Sequence, residues 1–142
     1  MTTVKQLLDA KGHVVWTIAP DASVFQAIQM MADREVGALA VMDGETLAGI
    51  VSERDYARKV ILQGHSSQAI RVATIMTRDV ITARLDDTVE TCMAAMTERR
   101  IRHLPVVDDG RTVGMISIGD LVRAVIAEQQ FVIRQLESYV TQ

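Results

Sequence analysis

Apolar residues in this chain follow two rhythms, and the same succession of rhythms occurs twice. Val24, Ala27, Ile28 and Met31 stand at i, i+3, i+4 and i+7, and so do Val89, Cys92, Met93 and Met96. That spacing writes one apolar stripe along a helix. Asp21 to Ser23 and Asp86 to Thr88 supply the N-caps, because short polar side chains accept bonds from the amides that a helix start leaves unpaired. After each helix come two short apolar runs joined by a turn: Ala38 to Met42 and Leu47 to Val51 around Asp43-Gly44, then Leu104 to Val107 and Val113 to Ile116 around Asp108-Asp109-Gly110. Asp-Gly between apolar runs predicts a hairpin. A second helix starts at Ser52 or Ser117, predicted to bury Tyr56, Val60 and Ile61 in one copy and Leu121, Val125 and Ile126 in the other. Gly64 ends the first, and His65 to Ala69 form a polar linker.

The recurrence is a true repeat. Residues 17–61 superpose on 82–126 at an offset of 65 without a gap, with 14 identities in 45 pairs, including Asp21/Asp86, Gly49/Gly114, Ser52/Ser117, Asp55/Asp120 and Arg58/Arg123. Each half reads β-α-β-β-α, with opening strands predicted at Val14 to Ile18 and Val80 to Ala83. Val4 to Leu7 and Val72 to Ile75 lead into them, the first copy carrying about three extra residues near Lys11 to His13. About 45 residues bury little apolar surface alone, so the halves are expected to pack together. The expected division is residues 1–66 and 67–142, the second with a C-terminal helical extension.

Composition narrows the function. The 142 residues are 49% apolar and 23% charged, globular values for a mixed α/β (α+β) chain. The longest apolar stretches fall short of the roughly 20 residues of a membrane span, and Met1 to Ala10 lack the pattern of an export signal. A cytoplasmic location is therefore expected. A net charge of −3, from 15 basic and 18 acidic side chains, creates no field that would draw in nucleic acid or a membrane. The one cysteine, Cys92, sits at an apolar helix position and reads as core.

Gly49-Ile50-Val51-Ser52-Glu53-Arg54-Asp55 and Gly114-Met115-Ile116-Ser117-Ile118-Gly119-Asp120 share one pattern: glycine, two apolar residues, serine, two variable residues, aspartate. Here, and in the Leu104-Pro105-Val106 strand, the chain resembles the cystathionine-β-synthase (CBS) domain family over nearly its whole length. The resemblance implies a tandem pair packed as one pseudo-twofold module, with clefts that take AMP, ADP, ATP, NAD or S-adenosylmethionine.

A serine at the first position of a helix leaves backbone amides free, and with its hydroxyl and the helix dipole these favour an anion. Asp55 and Asp120 would accept bonds from ribose hydroxyls. Ser-x-x-Asp is also the capping box of an ordinary helix, but its recurrence at matching places in the resembled fold favours a site at Ser52, Asp55, Ser117 and Asp120. The family's basic pair before the middle strand falls on Arg102-His103, against Gly37-Ala38 in the first half, which offers space and amides instead of charge. Arg54 and Arg58 flank Asp55 within reach of a phosphate. Trp16 and Ile81 fall where the family flanks adenine, and Thr77 and Lys11 where it lines the cleft entrance.

No catalytic constellation is written here. His13, His65 and His103 lack metal-pair spacing, and neither G-x-G-x-x-G nor a P-loop occurs. The expected protein is a non-catalytic, regulatory adenine-nucleotide-binding module without cofactor or metal. It is expected to form a homodimer, because Val132, Leu136, Tyr139 and Val140 make an apolar stripe beyond the repeat, and either to act on an unidentified protein effector or to buffer and sense nucleotide by itself. The rival reading is a protein-interaction scaffold with vestigial clefts.

Overall fold

The computed structural model describes residues 1–141. Its order is α1 (Val4–Lys11), β1 (Thr17–Ile18), α2 (Val24–Arg34), β2 (Ala38–Asp43), β3 (Thr46–Ser52), α3 (Glu53–Tyr56), a π-helical turn (Ala57–Ile61), α4 (Val72–Ile75), α5 (Val89–Arg99), β4 (His103–Asp108), β5 (Arg111–Ser117) and α6 (Ile118–Thr141). Two compact units emerge. One holds Val14–Ile81 with Asp109–Thr112; the other holds Met1–His13, Thr82–Asp108 and Val113–Gln142, of which Gln142 lies outside the described residues.

In the Val14–Ile81 unit, β1 runs parallel to β2 and β2 antiparallel to β3. The sheet buries Leu39, Val41 and Val51 against Val24, Ala27 and Met31 of α2, with Val60, Val72 and Ile75 completing the core. Ser23 caps α2 in a reciprocal pair with Gln26, and Glu35 ends it in the left-handed region at φ 55°. The other unit repeats the plan. Thr88 caps α5, Arg100 ends it at φ 55°, and β4 pairs with β5. Asp109 and Gly110 turn the hairpin with positive φ at both positions, as a tight two-residue loop requires.

The compact units do not follow the expected boundary after residue 66, because each leading segment packs on the other repeat. Val72 and Ala73 of α4 donate amide bonds to Ala22 and Pro20, and Val24 donates to Ile70. Correspondingly, Val4 and Lys5 of α1 donate to Asp87 and Leu85, and Val89 donates to Thr2. The motif glycines make room for these segments. A Cβ on Gly49 would lie 2.7 Å from the Thr77 carbonyl oxygen, and one on Gly114 would lie 2.7 Å from Leu8 Cδ1.

Three expectations about elements are corrected. The opening strands shrink to Thr17–Ile18 and to a single bridge of Ala83 with Val106, since each has a partner strand on one side only. The second helix of the first half does not run on from Ser52: four residues of α3 give way to the π-helical turn, which leaves Tyr56 half-buried and Ile61 54% exposed. In the second half Leu121 is buried and Val125 half-buried, but Ile126 is 48% exposed.

Candidate functional site

Both motif serines stand just before the helix, not at its first position. Ser52 is the N-cap of α3 in extended conformation, φ −127° and ψ 165°. Its amide donates to Asp55 Oδ2 at 3.0 Å, its hydroxyl donates to the same oxygen at 3.1 Å, and the Asp55 amide donates back to Ser52 Oγ at 3.2 Å. In the second repeat the Ser117 amide donates to Asp120 Oδ2 at 2.8 Å, and the Asp120 amide donates to Ser117 Oγ at 3.2 Å. The next amides are engaged too, Glu53 donating to the Gly37 carbonyl and Ile118 to the Arg102 carbonyl. The expected cradle of free serine amides is therefore closed. The two capping boxes instead pin the carboxylates.

Those carboxylates are more buried than a surface cap requires. Side-chain exposure is 13% for Asp55 and 7% for Asp120. Buried carboxylates need partners, and each has a cation. Lys59, one turn on, lies 3.1 Å from Asp55 Oδ1 and donates to the Ile75 carbonyl at 2.8 Å. Lys11, at the end of α1, reaches Asp120 Oδ2 and the Met115 carbonyl, both at 2.6 Å, while Arg123 holds Asp120 Oδ1 at 2.7 Å. Burial pushes the Asp120 carboxyl up, but the hydrogen bonds from Lys11 and Ser117 and the Lys11 charge outweigh it and hold it below the usual range.

An open cavity of about 710 Å³ lies between α1 and α6, with Asp120, Lys11 and Arg123 on its wall beside Leu7, Ala127 and Phe131. His103 opens β4, half-buried. Burial, then the Lys11 and Arg102 charges against the pull of Asp120, hold it below the usual imidazole range, so it is neutral at pH 7. Of the expected basic pair, only Arg102, which is exposed, carries charge.

The other predicted residues have these places. Gly37 stands just before β2, and Ala38, which is buried, opens it. Arg54 and Arg58 are exposed around α3 and the π-helical turn. Trp16 is half-buried with the Arg34 guanidinium 4.1 Å over its ring, beside a hollow of about 360 Å³ that α2 residues share. Ile81 is half-buried outside any strand, and Thr77 exchanges both backbone bonds with Ile50. Lys11 was expected at a cleft entrance and lies on the Asp120 carboxylate. Lys59 and Arg123 were not anticipated, although i+4 from Asp55 and i+3 from Asp120 are the spacings at which helix neighbours meet.

The family model for the CBS domain matches residues 4–62 and again 72–127. The chain belongs to the CBS domain family. It is a CBS domain pair, a regulatory module. It is 40% identical over 149 residues to the mitochondrial CBS domain-containing protein CBSX3 of Arabidopsis thaliana, covering 98% of this chain and 72% of that one. Among solved structures, a putative signal-transduction protein with CBS domains from Burkholderia ambifaria is 52% identical at a TM-score of 0.87, covering 90% of this chain and 96% of that one. The CBS domain pair of protein MJ0100, solved with 5-methylthioadenosine and S-adenosyl-L-methionine, is 29% identical at a TM-score of 0.80, covering 90% and 98%. Among the described residues no helix is long and apolar enough to cross a membrane, and no group of side chains is arranged to hold a metal ion.

Proposed function

We propose that this CBS domain pair binds an adenine nucleotide, AMP, ADP, ATP or NAD, and converts occupancy into a change of shape or assembly, without catalysis. It works in the cytoplasm as a homodimer that acts on a separate protein effector. One observation carries the reading: Asp120 is buried and Asp55 half-buried with its side chain 13% exposed, and both are fixed by their serines and matched with a cation, an arrangement beyond what capping a helix demands. The adenosine compounds held by the MJ0100 pair support the same ligand class.

An ionised carboxylate accepts about four hydrogen bonds. Asp120 already receives three, from the Ser117 amide, Lys11 and Arg123, so two ribose hydroxyls require one cation to withdraw. Arg123 is the one that leaves. Its side chain is 73% exposed, whereas Lys11 is also tied to the Met115 carbonyl. The freed guanidinium and Arg102 are then available to phosphate oxygens.

Thermal shift and calorimetry with AMP, ADP, ATP, NAD and adenosine test the reading. A ligand confined to the folded state adds about 2.7 kcal/mol at 100 times its dissociation constant. The double variant Asp55→Ala, Asp120→Ala is expected to lose that response. A full response in the double variant makes the motif a helix cap alone, and no response in the wild type leaves the scaffold reading.

A further inference from the structure

α6 extends 24 residues, and its two faces differ. One side, with Leu121, Ala124, Glu128 and Phe131, faces its own unit. The opposite side carries Val122, Ile126, Gln129, Ile133, Leu136 and Val140, every one exposed. Their spacing is 4, 3, 4, 3, 4, the alternation of a coiled-coil seam, with β-branched residues at 126, 133 and 140 and one polar residue at 129. A seam of this period fits another helix of the same period. We propose that α6 pairs antiparallel with α6 of a second copy of this chain along this seam. The inference rests on the homodimer reading and gives it a contact surface.

Flanking residues fix the direction. In the antiparallel pairing, Ile126 meets Leu136 of the second copy, Gln129 meets Ile133, and Val122 meets Val140. The line beside the seam on one flank is Arg123, Gln130 and Glu137, and on the other Val125, Val132 and Tyr139. Antiparallel helices bring like flanks together. Arg123 then faces Glu137 of the second copy, twice by symmetry, with Gln130 against its own counterpart between them, and the second flank is apolar on apolar. A parallel pairing sets Glu137 against Val132 and forms no ion pair. Arg123 has donors to spare, because its bond to Asp120 uses one of the five N–H groups of a guanidinium.

The test uses the full chain in light scattering and oxidative cross-linking. Wild type is expected at twice the chain mass, and Leu136→Glu at the single mass with unchanged circular dichroism, because residue 136 is already exposed within one chain. The dimer dissociation constant rises by about a hundredfold or more, since the carboxylate has no partner in an apolar seam. Direction is read by cysteines. A mixture of Ile126→Cys and Leu136→Cys chains is expected to cross-link between variants. Leu136→Cys alone is not, its sulfurs lying about 15 Å apart along the pair. The native Cys92 is buried with its thiol pushed up to about 11, so it stays silent. Self-cross-linking of Leu136→Cys overturns the antiparallel pairing. A dimer that survives Leu136→Glu overturns the seam and leaves the homodimer reading intact, whereas a monomeric wild type overturns both.

Discussion

Lys11 Nζ lies 2.6 Å from Asp120 Oδ2, joining side chains 109 positions apart in the chain. Asp120 is buried and Lys11 is 39% exposed, so the pair is partly screened. Breaking a fully buried pair costs about 3–5 kcal/mol; with this exposure, and with Arg123 still on the carboxylate, Lys11→Met is expected to cost about 1–2 kcal/mol. Chemical denaturation measures it. An unchanged midpoint would show that Arg123 alone satisfies Asp120.

The same pair sets an acid dependence. The folded carboxyl of Asp120 titrates below its ordinary value of 3.8, so its contribution is complete above that value and disappears as pH falls through the lower folded value. Asp120→Asn keeps an oxygen for the Ser117 amide and has no charge to titrate. Between about pH 5 and pH 2 its stability is expected to fall less steeply than that of wild type. Parallel slopes in acid titrations followed by circular dichroism would refute the assignment.

Arg102 is exposed before β4, and its neighbour His103 is neutral at pH 7. On the proposed nucleotide-binding reading, one guanidinium at this strand start is available to a phosphate. Charge-assisted bonds contribute about 1.5–3 kcal/mol, so Arg102→Ala is expected to weaken AMP by roughly tenfold to a hundredfold and to leave adenosine nearly unaffected. Calorimetry with both ligands decides. Equal losses would place Arg102 in support of the fold.

The two motif glycines are expected to tolerate alanine unequally. The new methyl at 49 meets a backbone oxygen that the Thr77–Ile50 bonds hold in place, whereas at 114 it meets the end of the Leu8 side chain. Overpacking costs about 1–3 kcal/mol. Gly49→Ala should fall at the upper end and Gly114→Ala at the lower, as read by denaturant midpoints.

Glu35 holds φ 55° at the end of α2, a conformation that disfavours a side chain. Glu35→Gly removes that strain at an exposed position and is expected to stabilise by about 0.5–1 kcal/mol. A lower melting temperature would mean that the glutamate side chain makes a compensating contact.

Repeat, helices and hairpins were legible because they rest on local signals: the apolar spacing of Val24 to Met31, the caps at Ser23 and Thr88, the Asp-Gly turns. The Ser-x-x-Asp motif falls on Asp120, which is buried, and on Asp55, which is half-buried. Its partners were harder to find. Lys59 and Arg123 follow from helix spacing once an aspartate is known to be buried, but burial is a tertiary property. Lys11 reaches Asp120 because α1 packs on the second repeat, and no local pattern in Val4 to Lys11 says which repeat it will join. The Ser52 and Ser117 amides are engaged locally, each by the aspartate three residues on, so the capping box that Ser-x-x-Asp spells closes the amide cradle expected there.

The exchange of leading segments also bears on how such a chain could arise. A lone repeat with its own leader would leave the leader of its sheet unsupplied, and two such molecules could satisfy each other only by trading leaders, an association that weakens on dilution. Joining the copies through His65 to Ala69 makes the trade intramolecular, where the local concentration of one partner around the other is set by the length of the connection and not by dilution. Duplication in tandem thus turns a concentration-dependent swap into a property of one molecule, and the polar linker between the copies is the segment that makes the fold independent of dilution.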